Sequence, residues 1–142
     1  MNFKHYNQRQ TALSPYSFDD LISEKHPVRV VDQVVESINI QPLLKAYSKE
    51  GNPGYHPKML LKVMIYAYMS NIYSSRKIEL AIRENINFMW LTGMSAVDHN
   101  TINRFRSDKL KDSFKEIFKQ VVMMLAEEGL ISMKQIYTDG PI

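Results

Sequence analysis

The sequence predicts an all-α fold, a multi-helix domain, on three observations. Apolar residues recur three and four positions apart along most of the 142 residues, which is the period of a helix face. Pro27, Pro42 and Pro57 each stand just ahead of such a stripe, where proline suits a first helical position. Ile, Leu, Val and Phe supply 39 residues, enough to form a core and to argue against disorder.

Taken in order, Ser17 caps a helix expected through Lys25, with Asp19 and Asp20 in its first turn, where the helix dipole favours negative charge. Pro27 opens a second helix whose Val28, Val31, Val34, Val35 and Ile38 form one stripe, and Pro42 opens a short one through Tyr47. The Gly, Asn and Pro of residues 49–55 mark a loop. From Pro57 to Met69 apolar residues point almost all round the axis, the pattern of a central, buried helix. Ser74 or Ser75 caps the next helix, with Ile78, Ala81 and Ile82 inward. Phe88 to Leu91 forms a short apolar segment ending at Gly93. Asp98 caps a helix to about Lys109. A last helix from about Leu110 to Glu128 carries Phe114, Ile117, Phe118, Val121, Met124 and Leu125, and stops at Gly129. After it, Met133 to Asp139 changes to β-type composition and predicts one short C-terminal strand, which needs neighbours to pair with.

Composition narrows function. Without cysteine there is no disulfide, thiolate metal site or cysteine nucleophile. No apolar run is long enough to span a bilayer and the N-terminus lacks a signal-type core, so no membrane partner and a cytoplasmic location are expected. His5, His26, His56 and His99 lack ligand spacing, so no metal site is expected from them. A net charge of +3 allows nucleic acid as a partner without requiring it.

Three consecutive short helices, about 75–84, 87–91 and 99–109, have the outline of a helix-turn-helix unit. Projected around its axis, the third places Ile102, Phe105 and Lys109 on one side and Asn100, Asn103, Arg104 and Ser107 on the other. These amide, hydroxyl and guanidinium groups suit base edges and phosphates, Asn for adenine and Arg for guanine. An ordinary solvated face has the same polarity. Arg76, Lys77 and Arg83 are candidate phosphate contacts, whereas Arg106 lies on the buried flank, with its head expected in an ion pair. Between Tyr73 and Lys109 six basic residues face four acidic ones, too even a balance for a strong nonspecific footprint.

Several strings, in order and at these separations, resemble the N-terminal region of bacterial insertion-sequence transposases of the DDE class. They are Tyr55 to Lys62 (YHPKMLLK), Tyr73 to Arg76 (YSSR), Asn87 to Gly93 (NFMWLTG), Asp98 to Arg106 (DHNTINRFR) and Gly129 to Ile131 (GLI). The resemblance implies a helical DNA-binding domain, residues 1–131, that recognises the double-stranded terminal inverted repeats and is associated with the bacterial nucleoid. Residues 132–142 would be the first strand of an RNase H-like catalytic domain. Tyr137-Thr138-Asp139-Gly140 matches the family's first catalytic motif, which makes Asp139 a catalytic and metal-binding carboxylate in a full-length context. Without the resemblance, Asp139-Gly140 reads as a turn at the end of a strand. The family's three carboxylates hold two Mg²⁺ ions. With one carboxylate and a chain that departs at Pro141-Ile142, the resemblance implies a truncated or frameshifted copy, or a product cut short at the domain boundary, that needs no cofactor of its own and is not expected to cut DNA by itself. Two alternatives follow: a part of a longer Mg²⁺-dependent transposase, and an assembly or inhibitory module that pairs with itself or with a full-length transposase.

Overall fold

The computed structural model describes residues 17–47 and 54–129. The all-α expectation holds for these residues, among which there is no strand. The expected C-terminal strand and Asp139 lie outside them. The helices are α1 (Phe18–Leu21), α2 (Pro27–Ser37), α3 (Gln41–Leu44), α4 (Pro57–Met69), α5 (Ser75–Glu84), α6 (Ile86–Thr92), α7 (His99–Arg104) and α8 (Phe114–Glu127). A 3-10 turn, Lys45–Tyr47, follows α3, and a π-helical turn, Phe105–Leu110, follows α7.

Helix α4 is the centre, as its all-round apolar pattern predicts. Leu60, Leu61, Val63, Met64, Ile65, Tyr66 and Ala67 are all buried, and α4 packs against α2 and α6. Helix α2 turns its predicted valines inward and also meets α8. The buried side chains form one continuous core from Ile22 to Leu125. Two His-Pro pairs start the longer helices of the first half by one device. The Nδ1 atoms of His26 and His56 accept the backbone N–H of Val28 and Lys58, both at 3.0 Å, and the proline that follows takes the first helical position, where no N–H is needed.

Three expected boundaries move, two of them for visible reasons. Helix α1 ends at Leu21 rather than Lys25, where Ile22 turns to extended backbone, and Arg29 takes up carbonyls on both sides of that break. Its guanidinium donates to the backbone oxygens of Asp19 (2.6 Å), Ile22 (2.8 Å) and Ser23 (2.9 Å), and to the Asp19 carboxylate (2.8 Å), while lying 5.2 Å over the Trp90 ring. Helix α7 is regular only to Arg104. Beyond it the chain widens into the π turn, which brings Phe105 and Leu110, five residues apart, both into the core. A regular helix would set residues five apart on different faces. Helix α8 accordingly starts at Phe114, after a turn through Ser113, and buries Val122 with Ile117, Val121 and Leu125 while Phe114, Phe118 and Met124 stay half-exposed. The third shift is small: α3 starts at Gln41, and its last turn tightens into the 3-10 segment.

Candidate nucleic-acid interface

Helix α5 packs against both α6 and α7, so these three short helices form one unit of the surface. Each start is capped by the residue type its local sequence calls for: Ser74 Oγ accepts the N–H of Lys77 (3.0 Å), Asn85 Oδ1 that of Asn87 (2.8 Å) and Asp98 Oδ1 that of Thr101 (2.8 Å). Gly93 closes α6 at φ +57°, in the left-handed region.

On α7 the division of faces follows the wheel. Ile102 and Phe105 are 1% and 2% exposed, and Asn100, Asn103, Arg104 and Ser107 are all exposed on the opposite side. The four form a polar ridge fixed from behind by the core. Two of them are already engaged locally. Asn103 Oδ1 accepts from Arg106 (3.3 Å), which orients the amide and leaves its NH₂ and a second lone pair for a ligand. Ser107 Oγ donates to the Asn103 carbonyl at 2.8 Å, so the hydroxyl offers outward an acceptor. Arg106 has the half-buried stem expected of it, but among the described residues it does not form the expected ion pair. Its head goes to the Tyr73 carbonyl (2.5 Å) and to Asn103, and so ties the α4–α5 connection to the ridge.

Arg76 and Lys77 stand exposed in the first turn of α5, which holds no acidic residue. Arg83 is exposed in its last turn, 3.7 Å from Glu79. Sequence reasoning missed Glu79, whose Oε1 accepts the backbone N–H of His99 (3.1 Å) and lies 3.3 Å from its Nδ1. The His99 N–H holds the Glu79 carboxyl below its ordinary value of 4.5, helped by the His99 ring and by Arg83. Asp98 is lowered by its bonds from Thr101. Two ionised carboxylates therefore cover the N-terminus of α7, while Arg104 ends it and Arg106 follows in the π turn. No local pattern marks Glu79, because its partner lies 20 residues away in another helix.

Among the described residues no three His, Asp or Glu side chains converge to hold a metal ion, and no helix is long and apolar enough to cross a membrane. The described residues thus form a helical domain that exposes a polar, partly cationic ridge along α7 and the start of the π turn. The chain belongs to the transposase-domain family: the family model described as Transposase domain (DUF772) matches residues 16–108. The matched stretch takes in α1 to α7 and ends inside the π turn. No curated protein and no solved structure matches the chain.

Proposed function

We propose that this transposase domain binds double-stranded DNA at the terminal inverted repeats of an insertion sequence, with α5 to α7 acting as a helix-turn-helix-like unit and α7 as its recognition helix. The observation that carries the reading is the exposed ridge of Asn100, Asn103, Arg104 and Ser107, backed by the buried Ile102 and Phe105, within the stretch matched to the transposase domain. Asn103 and Arg104 are assigned to base edges. Arg76 and Lys77 are assigned to phosphate, because an exposed helix start without acidic residues attracts anions. Arg83 shares its charge with Glu79 and is the weakest of the three candidates.

The test is a mobility shift at several salt concentrations, using the inverted repeat against a scrambled duplex. Arg104→Ala should cost about 1–3 kcal/mol on the repeat if it pairs with guanine. A loss below about 0.3 kcal/mol, or equal affinity for both duplexes, would remove specific recognition by this ridge. By resemblance, the domain would precede a DDE catalytic core in which Asp139 is the first carboxylate. The nucleotide sequence downstream tests that extension: a reading frame without a further Asp and Glu in such a core would end it.

A further inference from the structure

The guanidinium of Arg106 holds two segments at once. Its Nη1 donates to the Tyr73 carbonyl at 2.5 Å, 33 residues back in the chain, and its Nη2 donates to Asn103 Oδ1 at 3.3 Å. The far end of this bridge is itself fixed. Asn71 takes the left-handed conformation at φ +60° and accepts from the Tyr73 hydroxyl at 2.8 Å, the Tyr73 ring centroid lies 5.9 Å from that of Tyr68 on α4, and Ser74 caps α5. The near end is held from a second side, because Ser107 Oγ donates to the Asn103 carbonyl at 2.8 Å. Arg106 is half-buried, whereas Asn103 is exposed.

A primary amide on an exposed helix face is free to turn about its last bond, so that either its oxygen or its nitrogen meets a base. Arg106 removes that freedom. A guanidinium only donates, so the amide oxygen must face it, and the NH₂ is turned to the other side. The bond to the oxygen also polarises the amide and strengthens its N–H as a donor. We propose that Arg106 is the positioning residue for base reading by α7. It presents Asn103 as a donor, so that Asn103 selects a base with an acceptor in the major groove, purine N7 or thymine O4, over the cytosine amine. Adenine fits best, because its N6 amine uses the second lone pair of the amide oxygen. The proposal rests on the DNA-binding reading above and gives Arg106 itself no contact with DNA.

The test is a panel of inverted-repeat duplexes, each with one base pair replaced, bound by the full chain and its variants at several salt concentrations. Asn103→Ala locates the base pair that Asn103 reads, as the position where a preference of about fivefold or more falls below about twofold. Arg106→Met keeps the packed stem and should level the same position, and the double variant should lose nothing further there. The slope of log affinity against log salt should shift by well under the roughly one unit that a lost phosphate contact removes. Arg106→Lys keeps the charge but not the planar fork, and should level that position too. If the methionine variant fails to fold, the lysine variant carries the test. In the free protein, ¹⁵N relaxation of the Asn103 side-chain NH₂ should show an ordered group that becomes mobile in either variant. A preference that survives in Arg106→Lys, a uniform loss across the panel, or an amide equally mobile in native and variant chains overturns the positioning role and leaves DNA binding standing. So does an Asn103→Ala variant that keeps every preference while the repeat is still favoured over a scrambled duplex. Equal affinity of the native chain for repeat and scrambled duplex overturns the DNA-binding reading, and the proposal with it.

Discussion

Arg29 is the side chain on which the α1 region depends most. Its guanidinium makes four hydrogen bonds, three to backbone carbonyls and one to Asp19, and covers Trp90. Its side chain is only 19% exposed, whereas that of Asp19 is 64% exposed, so the carbonyl bonds and the ring contact matter more than the ion pair. Bonds from a charged donor contribute about 1.5–3 kcal/mol each when buried. Here water reaches the carbonyls of Asp19 and Ser23, both on exposed residues, and replaces much of what is lost there. One well-shielded bond, to Ile22, plus the cation–π contact leaves about 2–3 kcal/mol for Arg29→Met. At about 4 °C per kcal/mol for a domain of this size, the midpoint of thermal unfolding falls by about 8–12 °C. Lysine does not rescue it, because an ammonium cannot span three carbonyls as a planar fork does. Urea and thermal melts measure the loss. Fluorescence of Trp90, the single tryptophan, reports whether the ring is uncovered. A variant within about 0.5 kcal/mol of the native chain, with unchanged Trp90 emission, would refute the clamp.

Deleting Ser107 should shorten the π turn to regular helix while keeping Phe105 and Leu110 inward, now four residues apart. Urea melts should stay within about 1 kcal/mol while affinity for the repeat falls at least tenfold, and a chain that no longer folds would contradict the geometry. His56→Ala and Ser74→Ala each remove a helix cap and should cost about 1 kcal/mol by denaturant unfolding, with His56→Asn recovering most of it. The Lys62 hydrogen bonds, then those of Lys58, hold the Glu36 carboxyl below its ordinary 4.5, so its contribution is present above that value and disappears as pH falls through the lowered one. For Lys62, burial works against the charge, but the hydrogen bonds it donates to Asp32 and Glu36 outweigh it and leave the pKa above 10.5. Its contribution is present below 10.5 and is lost only as pH rises through the raised value, so unfolding midpoints across pH should fall at the acid end first. Lys62→Met should reduce that acid dependence, and an unchanged profile would disprove the link.

How much of this was visible in the sequence depends on the range of the interaction. Helical stripes, proline starts and the Gly93 stop are local, and α2, α4, α5 and α6 follow them closely. Arg29 ties down the end of α1 from the next helix, across ten residues to Asp19, and no periodicity reports that. The π turn is a compromise: Ile102, Phe105 and Leu110 are spaced by three and then five, and only the pull of the core on Leu110 decides that the helix widens instead of turning it outward. At the candidate interface the exposed ridge residues were readable because polarity alone separates the two faces of α7. Glu79 and the Tyr73–Arg106 bond were not, since each joins residues brought together only by packing.

The same long-range contacts decide how DNA would approach. A helix start ordinarily offers unpaired N–H groups to a phosphate, but at α7 the donors of His99 and Thr101 are taken by Glu79 and Asp98. Both carboxyls are held below their ordinary values and stay ionised at neutral pH, so a phosphate brought to that end meets negative charge instead of donors. The start of α5 differs, because Ser74 is its cap and Arg76 and Lys77 follow. In the proposed complex, phosphate contact would therefore fall at α5 and base contact at the Asn103–Ser107 stretch that ends α7 and opens the π turn, where the Arg106 bond to Tyr73 ties the ridge to the segment just ahead of α5. With only +3 net charge on the chain, discrimination rests on that short polar stretch, and a single change in it should alter sequence preference more than it alters the dependence of binding on salt.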